Sequence, residues 1–146
     1  MKTALDHFDY KILKILSDNS RLSYAEIGRI IGLSQSATKE RILTLVEDEV
    51  IKKFSVDINY KKIGYNLKVI IFLKFKNDEF KAFITNLDKF PEIISCKRIT
   101  GEYCLLTECI LTDSIELEGL IDRLISYGIP TTSIELSEVN VGNFFK

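Results

Sequence analysis

Apolar residues recur at helical spacing through the first third of the chain. Phe8, Ile12, Leu13 and Leu16 stand at i, i+4, i+5 and i+8, which puts them on one face of a helix over residues 6–17. Asp6 is placed to cap it, and Asp9 falls in the first turn beside the positive end of the helix dipole. Asn19-Ser20 interrupts the pattern, and Ser23-Tyr24-Ala25-Glu26 forms an S-x-x-E capping box ahead of Ile27, Ile30 and Ile31, predicting a short second helix. Gly32 suits the left-handed position that stops a helix, and Ser34 caps a third one running to about Asp48, with Thr38, Ile42, Leu45 and Val46 as its expected buried stripe. A connection as short as Gly32-Leu33-Ser34 cannot lay two helices antiparallel. It predicts a near-perpendicular helix-turn-helix with the first helix packed across both.

Beyond residue 50 the helical spacing ends. Val50 to Ile58 reads as a strand-like run, and a domain boundary is expected near residues 60–66, dividing the chain into 1–62 and 63–146. Leu67, Val69, Ile71, Leu73 and Phe75 alternate with Lys68, Ile70, Phe72, Lys74 and Lys76. Ile70 and Phe72 make the second face apolar as well, so this strand is central or covered on both sides, and a second copy of the chain is the expected cover. Asn77 is the expected cap of a helix carrying Phe80, Phe83, Ile84 and Leu87 and closed by Pro91; Ile93–Ile99 and Tyr103–Leu111 read as strands joined by the turn Thr100-Gly101-Glu102. Asp113 or Ser114 opens a helix with Leu117, Leu120, Ile121, Leu124 and Ile125, ended by Gly128 and Pro130, before a last strand over Thr131–Val139. The order βαββαβ is that of the split βαβ, ferredoxin-like arrangement. The predicted class is therefore α+β: an N-terminal three-helix helix-turn-helix domain and a C-terminal ferredoxin-like domain. Phe80, Phe83 and Phe90 are read as core, and Phe144-Phe145 as a segment that packs on a partner.

Composition narrows the setting. Hydrophobic residues make up 46% of 146 residues, enough for one ordinary core or two small ones. No run approaches the ~18 apolar residues of a membrane span, and the opening residues lack the apolar stretch of a leader, so a cytoplasmic protein is expected. Cys96, Cys104 and Cys109 are odd in number and without C-x-x-C spacing, which predicts free thiols and neither disulfide nor zinc. A net charge of −1 opposes nucleic-acid binding at first sight. Its distribution answers this: residues 1–62 carry eleven Lys/Arg against nine Asp/Glu, while the remainder carries nine against twelve. A DNA-binding face, if present, lies in the first half.

In a helix-turn-helix the second helix enters the major groove and its first residues meet base edges. Ser34, Gln35, Ser36, Lys39 and Glu40 occupy that stretch; Gln suits adenine bidentately and Lys suits guanine or a phosphate. Arg21, Arg29, Arg41, Lys52 and Lys53 are candidate phosphate contacts. Two bland readings stand beside these: a solvated helix face in a protein-binding winged domain, and an Arg41 paired with Glu40 or Glu47 or capping a carbonyl. His7, the one histidine, reads as a surface residue. With no Gly-rich phosphate loop and no metal-ligand cluster, neither a cofactor nor an enzyme is predicted.

Over nearly its whole length the chain resembles the Lrp/AsnC, or feast/famine, regulators. Leu5-Asp6, Asp9, Ile12-Leu13, Leu16, Asn19, Arg21, Ser23, Ile27-Gly28, Gly32-Leu33-Ser34, Arg41, Leu45 and Val50-Ile51 carry the likeness, with Thr100-Gly101-Glu102 and the βαββαβ order adding a looser match. The resemblance implies a transcription regulator that binds double-stranded DNA as a homodimer or a larger ring of dimers, a tetramer or octamer. It also implies a small effector such as an amino acid near Thr100, Gly101, Glu102, Tyr103 and Cys104; assembly contacts are the competing reading of that turn. Three positions depart from the family pattern: Glu49 replaces the usual glycine before Val50-Ile51, Cys104-Leu105 follows where an acid and tyrosine are frequent, and Gln35-Ser36-Ala37 replaces proline-containing sequences. The first predicts a different helix end and an acid close to the DNA side. Two other function classes stay open: a sensing and assembly module with little DNA binding, and a decarboxylase like the siroheme enzymes built on the same two-domain plan.

Overall fold

A computed structural model describes residues 4–145; the chain's opening residues, on which the expected lack of a leader partly rests, and Lys146 lie outside them. Two compact units are present. One comprises the described residues up to Asp57 and again from Asn140, the other Ile58–Val139. The chain thus crosses between units twice, near Asp57 and near Asn140, where a single division at 62/63 is expected from the sequence.

The first unit holds α1 (His7–Asp18), α2 (Tyr24–Ile31) and α3 (Gln35–Glu47). Each begins at an expected cap. Asp6 accepts from the backbone N–H groups of Phe8 and Asp9, and Asp9 reciprocates, completing a capping box; Ser23 and Glu26 form a second; Ser34 accepts from Ala37 N–H. Gly32 ends α2 at φ +80°. Ile12, Ile27, Ile31, Ile42 and Leu45 form the core of the three helices. Thr38 is fully buried with its hydroxyl donating to Ser34 O, whereas Val46, expected in the same stripe, is exposed. Position 46 lies one residue past Leu45 and turns out of the stripe that Thr38, Ile42 and Leu45 define.

Val50–Ile58, expected as a strand-like run, forms no strand, because none of the described residues pairs with it. In the second unit β1 (Leu67–Phe75), α4 (Glu79–Thr85), β2 (Ile93–Arg98), β3 (Leu105–Leu111), α5 (Ser114–Ile125) and β4 (Gly128–Ile134) give the expected order, and the sheet runs β2-β3-β1-β4, antiparallel throughout, as in ferredoxin-like folds. Val69, Ile71 and Leu73 of β1 and Leu105, Cys109 and Leu111 of β3 face Phe83, Phe90, Leu120 and Leu124, so both helices cover one face. The opposite face carries half-buried Ile70, Phe72 and Leu106.

Three boundaries move from their expected places. Asn77 does not cap α4: it sits at φ +48°, a conformation asparagine tolerates, and Asp78 precedes the helix without a side-chain cap. β3 begins at Leu105, leaving Tyr103 and Cys104 in the preceding turn. α5 stops at Ile125, and Gly128 and Pro130 belong to β4, which ends at Ile134 instead of Val139. β4 is an edge strand, where proline's missing N–H costs no ladder bond.

Candidate functional site

The capped entry of α3 presents its first turn outward. Gln35, Ser36, Lys39 and Glu40 are exposed, and Ser34, Gln35, Ser36 and Lys39 line a shallow open depression. Ser34 and Ser36 hydroxyls lie 3.2 Å apart, so the N-cap residue also steadies its neighbour. The stage beneath is rigid because Gly28 lets α2 approach the turn: Gly32 and Leu33 N–H both bond Gly28 O at 2.8 Å. Arg21, Arg29, Lys52 and Lys53 are all exposed, as groups that meet phosphates must be.

Arg41 is differently employed. Its guanidinium bonds Asp6 and Asp9, each at 2.9 Å, and lies over the Phe8 ring, so its partners are the two capping-box carboxylates of α1 and not Glu40 or Glu47. Burial alone would lower its pKa, but the bonds to Asp9 and Asp6 outweigh that and hold it above the ordinary value. The Asp9 N–H, with help from Arg41, holds the Asp6 carboxyl below its usual range. Solvent screens pairs this exposed, so their main effect is geometric, fixing α3 against the start of α1. Sequence spacing gives no hint of a pair 32 residues apart.

Glu49 takes φ +56°, the left-handed conformation that glycine adopts freely. The chain therefore turns after α3 as it would with glycine, and the glutamate bears the strain. Replacing Glu49 by Gly is expected to raise the melting temperature of the reading domain, with a gain of up to about 1 kcal/mol; an unchanged or lower midpoint in calorimetry would contradict this.

At the candidate effector turn Gly101 has φ +110°, which accounts for glycine there. Ile99 N–H bonds Cys104 O and Cys104 N–H bonds Leu73 O, so the turn is tied into the sheet at its base. Tyr103 packs against Phe72 with centroids 5.4 Å apart and accepts from the Thr131 hydroxyl at 3.4 Å. Glu102 lies 3.8 Å from Lys74 Nζ. Thr100 and Cys104 are exposed. Burial pushes Cys109 up to about 11 and raises Cys96, so those two thiols remain protonated within the sheet. His7 is exposed and stacks on Phe8, distant in sequence from this turn.

Residues 5–52 match the winged helix-turn-helix DNA-binding family, and residues 68–140 match the Lrp/AsnC ligand-binding domain. The chain belongs to the Lrp/AsnC family. It is 36% identical over 124 residues to the transcriptional regulator FL11 of Pyrococcus horikoshii, covering 85% of this chain and 82% of that protein. It is 31% identical to LrpC of Bacillus subtilis over 140 residues, covering 95% and 96% respectively. The solved structure of that LrpC superposes with a TM-score of 0.90 over 96% of this chain and all of the other. A Neisseria meningitidis regulator, NMB0573, solved as a complex with L-Met, superposes with a TM-score of 0.85 at 26% identity over 94% and 93%. This Lrp/AsnC protein is accordingly a helix-turn-helix, DNA-binding transcription regulator with a ferredoxin-like second domain. Among its described residues no helix is long and apolar enough to cross a membrane.

Proposed function

We propose that this regulator reads DNA through the first turn of α3 and modulates that reading by binding a small effector, an amino acid by chemistry, at the Thr100–Cys104 turn. The observation that carries the reading is the exposed, doubly braced entry of α3: Gln35, Ser36 and Lys39 project from a helix whose base is fixed by Gly28 below and by Arg41 bound to α1. Gln35 is the base reader, Lys39 a base or phosphate contact, and Ser34, Ser36 and Glu40 flank them; Arg21, Arg29, Lys52 and Lys53 supply phosphate contacts. Arg41 acts as a positioning residue, since its guanidinium is already held by two carboxylates.

Fluorescence anisotropy with a duplex from upstream of its own gene, against a scrambled one and across a salt series, tests this. Gln35→Ala is expected to relax preference at one base position, costing about 1–3 kcal/mol on the preferred duplex, while Lys39→Ala weakens all duplexes and flattens the salt slope by about one unit. Equal losses on specific and scrambled DNA for both variants would remove Gln35 as a reader.

The effector reading draws on the place of the Thr100–Cys104 turn, whose Tyr103 meets Phe72 and Thr131, and on the L-Met bound by the Neisseria regulator, carried here as a chemical class. Binding without catalysis fits the residues: the sole histidine, the side chain most used for proton transfer, stands on α1. The protein works in the cytoplasm as a homodimer or larger ring, a dimer doubling its basic face. Ile70, Phe72 and Leu106 on the sheet face opposite the helices supply apolar surface for that assembly. Light scattering should give a mass at least twice that of one chain, and a strict monomer at micromolar concentration would overturn the assembly.

A further inference from the structure

The last residues of the chain return to the reading domain and fasten there. Asn143 Nδ2 lies 2.6 Å from Asp18 Oδ1, 2.8 Å from Ser17 Oγ and 3.3 Å from Lys14 O, all in the last two turns of α1. That end of α1 has no basic residue in its last turn, so the asparagine brings donors where the helix dipole is negative. Asn143 Oδ1 accepts from Phe145 N–H, which directs Phe145 into a cleft of about 730 Å³ lined by Leu13, Leu16, Val50 and Phe54. Phe145 is half-buried there, whereas the adjacent Phe144 is 90% exposed.

The same segment is fastened at its other end to the sheet. Glu135 N–H bonds Lys68 O, and Lys68 Nζ pairs with Glu135 at 3.1 Å and Glu138 at 3.5 Å; the hydrogen bond to Glu135 raises the lysine's pKa. Between these anchors Val139 and Val141 are more than four-fifths exposed and hold nothing. The stretch is thus two attachment points joined by a bare leash, and five residues of chain span at most roughly 17 Å. β4, from which the leash leaves, carries Thr131, the hydrogen-bond partner of Tyr103 at the candidate effector turn.

We infer that residues 135–145 are a strap that clamps the end of α1 and the hinge, and that effector binding reaches the reading domain through β4 and this strap. The relay half of this inference rests on the effector reading above; the clamp half does not. A hinge alone transmits only a push or pull at residue 57. The strap adds a second link, and the helix it clamps, α1, is the one that Arg41 ties to α3.

Two full-length variants test it, Asn143→Asp, which sets a carboxylate against Asp18 at unchanged size, and the double variant Asn143→Ala with Phe145→Ala. Amide hydrogen exchange is expected to accelerate about tenfold or more over residues 15–19 and at Ile51 while β1 and β3 keep their protection. With a pool of the common amino acids as probe, the change in affinity for the upstream duplex, about 5–150-fold for a typical coupling, should shrink toward unity in both variants. Unaltered exchange in both would overturn the strap. Faster exchange with an undiminished amino-acid response would overturn the relay. If the unmodified protein shows no amino-acid response, the effector reading and its relay fall together, and the exchange data still decide the clamp.

Discussion

Phe83→Ala is expected to cost the C-terminal domain about 3–5 kcal/mol, the range for emptying a fully buried phenylalanine site. Phe83 has no exposed surface, and its ring meets Phe75, Phe90 and Tyr127 at centroid distances of 5.6, 5.3 and 5.4 Å. It is the hub through which α4 reaches both the sheet and the segment before β2. The neighbours cannot collapse into the gap easily, because Phe75 is fixed in β1 and Phe90 lies beneath the Arg123 guanidinium, itself bonded to Lys89 O and Glu92. For a domain of this size each kcal/mol moves the midpoint by about 4–8 °C, so the transition should fall by roughly 12–40 °C. Phe83→Leu, which keeps most of the volume, should cost far less. The reading domain has a separate core built on Ile12, Ile27 and Ile42, so scanning calorimetry should show one transition moving and the other nearly still. A shift below about 5 °C would mean that the aromatic cluster is looser than its distances imply.

That cluster also shows what a sequence discloses. Phe80, Phe83 and Phe90 could be assigned to a core from spacing alone, since helical and strand periods report which face is buried without reference to any partner. Capping is equally local, and the Asp6, Ser23, Ser34 and Asp113 caps are all where side-chain chemistry puts them. The errors arise where the deciding contact is remote or absent. Val50–Ile58 reads as a strand-like run yet has no pairing partner among the described residues, and Pro130 reads as a stop because nothing local says that β4 is an edge. Val46 is apolar and so reads as core, although its neighbour Leu45 already completes the stripe. Arg41 found its carboxylates across the helix bundle, and Asn143 lies about 125 residues from the helix it touches. The exposed residues of α3 and of the Thr100–Cys104 turn were legible as places and not as contacts, because the groups they would meet belong to other molecules.

Gly28→Ala tests the stage on which α3 stands, and two effects of opposite sign compete there. In an unobstructed helix alanine gains about 0.8–1.0 kcal/mol over glycine. At Gly28, however, an added Cβ would lie 2.6 Å from Leu33 O and 2.8 Å from Thr38 Oγ1, both far inside contact distance. Neither atom can retreat cheaply: the turn carrying Leu33 O is held by the Gly32 and Leu33 N–H bonds to Gly28 O, and the buried Thr38 hydroxyl is engaged with Ser34 O. Overpacking of this order costs about 1–3 kcal/mol or more, so the clash wins and α3 must shift or tilt. The reading domain should lose about 2 kcal/mol net, which lowers its midpoint by roughly 8–16 °C. Because the shift displaces Gln35 and Lys39 together, affinity for the preferred duplex should fall more than affinity for scrambled DNA, even well below the melting transition. Gly119→Ala on α5 supplies the opposite case, since nothing lies within 4 Å of its added Cβ, and it should stabilise by up to about 1 kcal/mol. A Gly28→Ala protein melting at or above the unmodified one, with Gly119→Ala behaving as expected, would show that α2 and the turn are not in the close contact described, and the braced α3 entry would lose its physical basis.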